Sequence, residues 1–212
     1  MSSFSLRNAL FVLSLCLLVT SSQLWAQEER KKLVFIAGRA SHSYAAHAHN
    51  AGALLLVRLL NENCPQIHAV AYQNGWPQDP AALDNADAVV MYCDGGTSHV
   101  LTDPSDPLAR VKQVDRLSRR GKGVGLLHYA LIPPQVPDGG QYFMDWIGGD
   151  YQTRWSVNPF WTAEVRELPG QPVARGVQPF RIHDGWYYHM KFRADMEGVT
   201  PLLSAIPPDA TR

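Results

Sequence analysis

Three short apolar runs limit what this chain can fold into: Leu33 to Ala37 (LVFIA), Ala88 to Cys93 (AVVMYC) and Gly123 to Leu127 (GVGLL). They are continuous rather than alternating, the pattern of strands covered on both faces, which in practice means a parallel sheet between helices. Each run ends in a polar turn. The first opens into Gly38 to Asn50 (GRASHSYAAHAHN), the second into Asp94 to His99 (DGGTSH), and the third into His128-Tyr129. In open α/β sheets ligands bind at such strand ends, so these turns mark where a site belongs.

The elements between the runs fit the same plan. A helix is expected from about Tyr44 to Glu62, with Ser43 as N-cap and Ala48, Gly52, Leu55, Leu56 and Leu59 turned to the sheet. Ile67 to Tyr72 reads as a strand and Gln73 to Pro80 as turn chemistry. A further helix is capped by Ser105 or Asp106, carries Pro107 in its first turn, and ends at Gly121. Its stripe is Leu108, Val111, Val114 and Leu117. The repeated βαβ pattern specifies an α/β fold with a doubly wound, mostly parallel sheet and helices on both faces. The second half is rich in aromatic residues and glycine. Gly139 to Trp161 reads as loops and short strands, followed by strands at Thr162 to Leu168, Phe180 to His183, Trp186 to Phe192 and Val199 to Ala205.

The N-terminus stands apart. Arg7, the apolar stretch Ala9 to Val19 and Leu24-Trp25-Ala26 have the plan of a secretory signal peptide over residues 1–26, leaving 27–212 as the folded domain. The apolar stretch is shorter than the roughly 20 residues of a membrane span. The expectation is export to a periplasmic or extracellular location, with no stable membrane span after cleavage. Cys64 and Cys93 then remain, to pair in an oxidising compartment or to be buried free thiols. With 19 basic and 19 acidic residues the net charge is zero; no basic field marks a nucleic-acid partner, and small neutral or weakly charged ligands fit best.

If the three apolar strands are adjacent, their turns bring together His42, His47 and His49, Asp94 and His99, and His128 and Tyr129. Imidazole and carboxylate suit a divalent metal ion. On a helix, however, residues 47 and 49 point about 200° apart, so both reach one ion only if the turn is irregular there. The same groups suit acid–base work, a histidine carrying the proton and Asp94 orienting it. Tryptophans 146, 155, 161 and 186, with Asn158 and Tyr187, suit a sugar cleft. Local hydrogen bonding by individual histidines is the plain alternative. In amidotransferase-like folds the strand before a sharp elbow delivers a nucleophilic cysteine; here His128 holds that place and Cys93 ends a different strand, which argues against a Cys–His amidotransferase.

The segment Lys32 to Asn50, ADAVVMYCDGG, GVGLLHYA, DWIGG, WSVNPFWTAEV and DGWYYHMKF together resemble the ThuA-like (trehalose utilisation) family, over nearly all of residues 32–212. The resemblance implies a flavodoxin-like, amidotransferase-related fold without amidotransferase chemistry. It also implies a role in disaccharide catabolism, handling 3-keto-glycosides made by partner sugar oxidoreductases, and a domain that continues with a further strand and turn. The family commonly carries an acid where Gly185 follows Asp184. On this reading His128 and His47 are the acid–base residues and Asp94 orients. His42, His99, Tyr129, Trp155, Asn158, Trp161, Asp184 and Tyr187 contact a carbohydrate ligand, and His49 is the weakest candidate of its turn. No cofactor is required, a divalent metal being the alternative. A glycoside-processing hydrolase, lyase or isomerase is one outcome, and a non-catalytic carbohydrate-binding or scaffolding domain the other.

Overall fold

The computed structural model describes residues 29–44, 46–168 and 170–211; the expected signal peptide lies outside them. Strands β1 (Lys31–Ala37), β2 (Ile67–Tyr72), β3 (Ala88–Tyr92) and β4 (Gly123–Leu127) form a parallel sheet in the order β2-β1-β3-β4. Helix α1 (His49–Asn63) follows β1, α2 (Ala109–Arg119) follows β3, and α3 (Gly139–Ile147) follows β4. The architecture is flavodoxin-like α/β. Among the described residues no helix is long and apolar enough to cross a membrane.

Continuous apolar strands make two cores, because side chains alternate across a sheet. Val34 and Ile36 of β1 and Val89 and Met91 of β3 pack with Val111, Val114 and Leu117 of α2 and Phe143 of α3. Phe35 and Ala37 face the other way, onto Ala53, Leu56, Val57 and Leu60 of α1. Burying a side chain such as Val111, Val114 or Leu117 contributes roughly 1.5–3 kcal/mol each.

Helix α1 begins five residues later than its apolar spacing suggests, at His49, with Ala48 as N-cap and no side-chain cap. Ser43 therefore caps nothing, and the face that meets the sheet is His49, Ala53, Leu56, Val57 and Leu60. Leu55 and Leu59 are exposed, because each stands about 200° around the helix from Val57, which packs on the sheet. Helix α2 also starts late, at Ala109; Asp106 accepts the Leu108 N–H in the turn before it. Its end matches expectation. Gly121 takes φ 75°, and the N–H groups of Gly121 and Lys122 bond to the carbonyls of Ser118 and Leu117, a Schellman stop.

Residues 139–147 form a helix where loops and short strands are expected. Tyr142, Phe143, Trp146 and Ile147 have helical spacing and pack on the α2 core, while the flanking glycines read as breakers. Gly148, at φ 78°, is the C-cap. Beyond α3, β5 (Gly149–Asp150) pairs with β8 (Lys191–Phe192), and β6 (Phe160–Val165) pairs with β7 (Phe180–Gly185), both antiparallel. Of the expected strand 186–192 only the last two residues are strand, and 199–205 forms none. Cys64 and Cys93 are both free; Cys93 is buried, and burial pushes its thiol up to about 12.

Gly38 joins β1 to the histidine turn at a point of close approach. A Cβ there would stand 2.6 Å from Cys93 Cβ and 3.4 Å from His49 Nδ1. Gly38→Ala is expected to cost about 2 kcal/mol, in the range of core overpacking. Denaturant unfolding checks this, and an unchanged midpoint would contradict it.

Candidate functional site

The site is built from the polar turns that leave β1, β3 and β4, three adjacent parallel strands. The turn after β1 is not helical until His49. Ser41 and His47 form an isolated antiparallel bridge across it, so the helical separation of residues 47 and 49 does not apply. Their ring centroids are 5.5 Å apart, and that of His128 lies 4.6 Å from His47 and 6.2 Å from His49. Three imidazoles from two turns therefore face one space.

Asp94, at the end of β3, holds the arrangement together. His47 Nδ1 lies 2.8 Å from Asp94 Oδ1; a carboxylate only accepts, so this nitrogen carries the proton and donates it. Ser41 Oγ is 2.9 Å from the same nitrogen and 3.0 Å from His42 Nδ1. Burial raises the Asp94 carboxyl, but the hydrogen bonds from Ser41 and His47 outweigh it and leave the group below the ordinary range. The carboxylate is ionised and directed at His47.

His49 is the reverse of expectation. It is the most buried of the three, 1% exposed, and its Nδ1 is 3.0 Å from the Arg39 carbonyl, to which it donates. That bond leaves the lone pair on Nε2, which has no hydrogen-bond partner among the described residues and lies 3.8 Å from Asp94 Oδ1. The helical angle that separates 47 from 49 fails because His47 is bridged to Ser41 and only His49 is helical.

His128 follows β4 with φ 60° and opens a 3-10 turn. A non-glycine residue in left-handed backbone at a strand end is uncommon and held by its surroundings. Burial lowers its imidazole pKa, and His47 and His49 lower it further. The position thus joins a strand end to a 3-10 turn through left-handed backbone and carries an imidazole. Cys93, buried in the core, supplies no thiolate.

Other candidates divide into a pocket wall and a scaffold. Tyr129 packs 5.2 Å from His47 and its hydroxyl accepts from Asn158 Nδ2 at 2.9 Å. The Tyr187 ring packs, tilted, 5.7 Å from Tyr129 and 5.0 Å from Tyr151. Its buried hydroxyl has no partner, and burial, then the neighbouring tyrosines, push it well above the usual range. His42 is exposed at 3.8 Å from the His47 ring. Asp184 is exposed, accepts the N–H of Gly185, and its charge reaches His128.

His99, Trp155 and Trp161 do not join the histidine cluster. His99 is 2% exposed; its Nε2 donates to the Ala130 carbonyl and its Nδ1 accepts from Leu101 N–H, so the ring ties the β3 turn to the β4 turn. Trp161 is 7% exposed against Trp186, in the β6 core. Trp155 is exposed with Lys191 Nζ 3.9 Å over its ring.

A cavity of about 560 Å³ adjoins the cluster. Ser41 and Asp94 form the shared wall, and Arg39, Asn74, Trp76, Gln78 and Ser98 extend it. Trp155 and Trp161 are not among its lining residues. Asn74, Trp76 and Gln78 belong to the segment QNGWPQDP, which looks like mere turn chemistry in sequence. A second cavity of about 360 Å³ sits beside Gly96, Gln135 and Tyr151, where Asp150 is 2% exposed, its Oδ1 has no hydrogen-bond partner among the described residues, and burial raises its carboxyl.

No family model, curated protein or solved structure matches the chain. Fold and geometry together define a flavodoxin-like α/β protein with a histidine–carboxylate cluster at the C-terminal ends of its strands and a polar cavity beside it.

Proposed function

We propose that the chain is an exported carbohydrate-processing enzyme, acting on a disaccharide or 3-keto-glycoside by acid–base chemistry in this pocket. The observation that carries the reading is the His47–Asp94 hydrogen bond at 2.8 Å, facing His128 and adjoining a polar cavity of sugar size. The His–carboxylate pair supplies a base whose orientation and tautomer are fixed. Cavity residues Asn74, Gln78 and Ser98 offer both donors and acceptors to hydroxyls, and Trp76 offers a ring face.

A 3-keto group acidifies the adjacent C2–H. Removal of that proton places an electron pair in the enolate; its collapse breaks the C1–O bond, and the departing oxygen takes a proton. The reaction needs a base, an acid and no strong nucleophile, which suits a site with His128 where a thiol would otherwise stand. Partner sugar oxidoreductases would supply the ketone. The carbohydrate resemblance of the sequence supports this choice of substrate class.

The test is turnover of 3-keto-glycosides and their parent disaccharides by purified protein, alongside His128→Ala. Turnover lost in the variant with sugar binding retained is the expected result. Sugar binding without turnover by the native protein would instead identify a carbohydrate-binding domain.

A further inference from the structure

His47, His49 and His128 each present a ring nitrogen, and these atoms lie within 4.8 Å of one another. We propose that they bind one divalent transition-metal ion of the zinc class. The proposal deepens the reading of this pocket as a proton-handling centre, but its evidence is the cluster's geometry alone.

The decisive residue is His49. Its side chain is buried, its Nδ1–H is committed to the Arg39 carbonyl, and its Nε2 lone pair is aimed into the cluster with no partner. A buried imidazole nitrogen without a partner is costly, and a metal ion would satisfy it. The backbone bond on the opposite nitrogen is the usual outer support of a metal-bound histidine. His47 has the matching arrangement, its Nδ1–H held by Asp94 and its Nε2 left as acceptor. Two imidazoles are thus each held in a single tautomer, with the lone pair on Nε2, by a carbonyl and a carboxylate. His128, the exposed member of the trio, is free to close the set.

Donors on a tetrahedral ion with bonds of about 2.0–2.1 Å stand about 3.4 Å apart. The observed spread therefore requires only a small inward movement of the exposed ring. Three neutral imidazoles with one position left open is the donor set of a catalytic rather than a structural ion. Imidazole ligation selects zinc, nickel, copper or iron over calcium and magnesium. An ion here would lower the pKa of a water on the open position; after that water gives its proton to solvent, the resulting hydroxide would take the substrate proton in place of a free imidazole and return to water. A second trio, His42, His47 and Asp94, also clusters. It uses an exposed histidine and the carboxylate that already orients His47, so it is the less favourable ligand set.

Untagged full-length protein, stripped with a chelator, is titrated with zinc chloride alone by calorimetry and with cobalt chloride by absorption spectroscopy. One saturable site per chain is expected, with intense visible bands for tetrahedral cobalt. His128→Ala, at an exposed position, should weaken zinc binding roughly 100-fold or more, since even outer supports of a metal site are worth about 10–100-fold. His68→Ala, on β2, should leave it unchanged. Absence of saturable binding, or binding that survives His128→Ala but fails in His42→Ala, overturns the assignment. Zinc binding without turnover of any 3-keto-glycoside leaves the ion in place and removes the sugar reading. Full turnover by the stripped protein does the opposite.

Discussion

Asp94→Asn is expected to lower kcat about 10²–10⁴-fold on the proposed substrate, the range associated with a positioned acid–base group. The substitution preserves shape and an acceptor oxygen but removes the charge. Asp94 accepts the His47 Nδ1 proton at 2.8 Å and neighbours His49 at 3.8 Å, so it holds the His47 ring in one orientation and one tautomer. An asparagine can also turn its NH₂ toward His47 and favour the wrong tautomer. Steady-state kinetics at several pH values decide the matter. A variant that keeps native kcat throughout would remove Asp94 from the chemistry.

The second large effect is on stability. Burial lowers the His99 pKa from 6.5 to about 4, because the ring sits in the core with both nitrogens committed to backbone groups. Between those values the unfolded chain binds a proton that the folded chain refuses. Stability therefore falls as pH drops from about 6.5 to about 4, levels off below that, and is insensitive to this group above 6.5. The full drop is about 3 kcal/mol. His99→Gln cannot titrate, so its stability should lose that pH dependence. Denaturant unfolding across the window measures the difference; identical slopes in variant and parent would refute it.

The parallel sheet was legible in the sequence because buried strands have a pattern that few other elements share. LVFIA, AVVMYC and GVGLL are too short and too apolar to be surface helices, and their polar ends located the site. The helix Gly139–Ile147 was hidden because a nine-residue segment opening with two glycines has weak intrinsic helicity; packing of Phe143 on α2 stabilises it. His49 was misjudged for a related reason. Where a helix begins is decided by a cap or a contact, and here Ala48 caps nothing with its side chain while His49 bonds to the Arg39 carbonyl. The cavity residues Asn74, Trp76 and Gln78 could not be assigned in advance, because only the β2–β1 pairing places their loop beside Ser41 and Asp94.

His42 and His128 both occupy left-handed backbone, at φ 63° and 60°. Glycine would hold either conformation with less strain. Selection for heat resistance alone would therefore favour replacing two members of the histidine cluster. Any programme to harden this protein should fix positions 42 and 128 before choosing what else to vary, and should screen for ligand binding together with melting temperature.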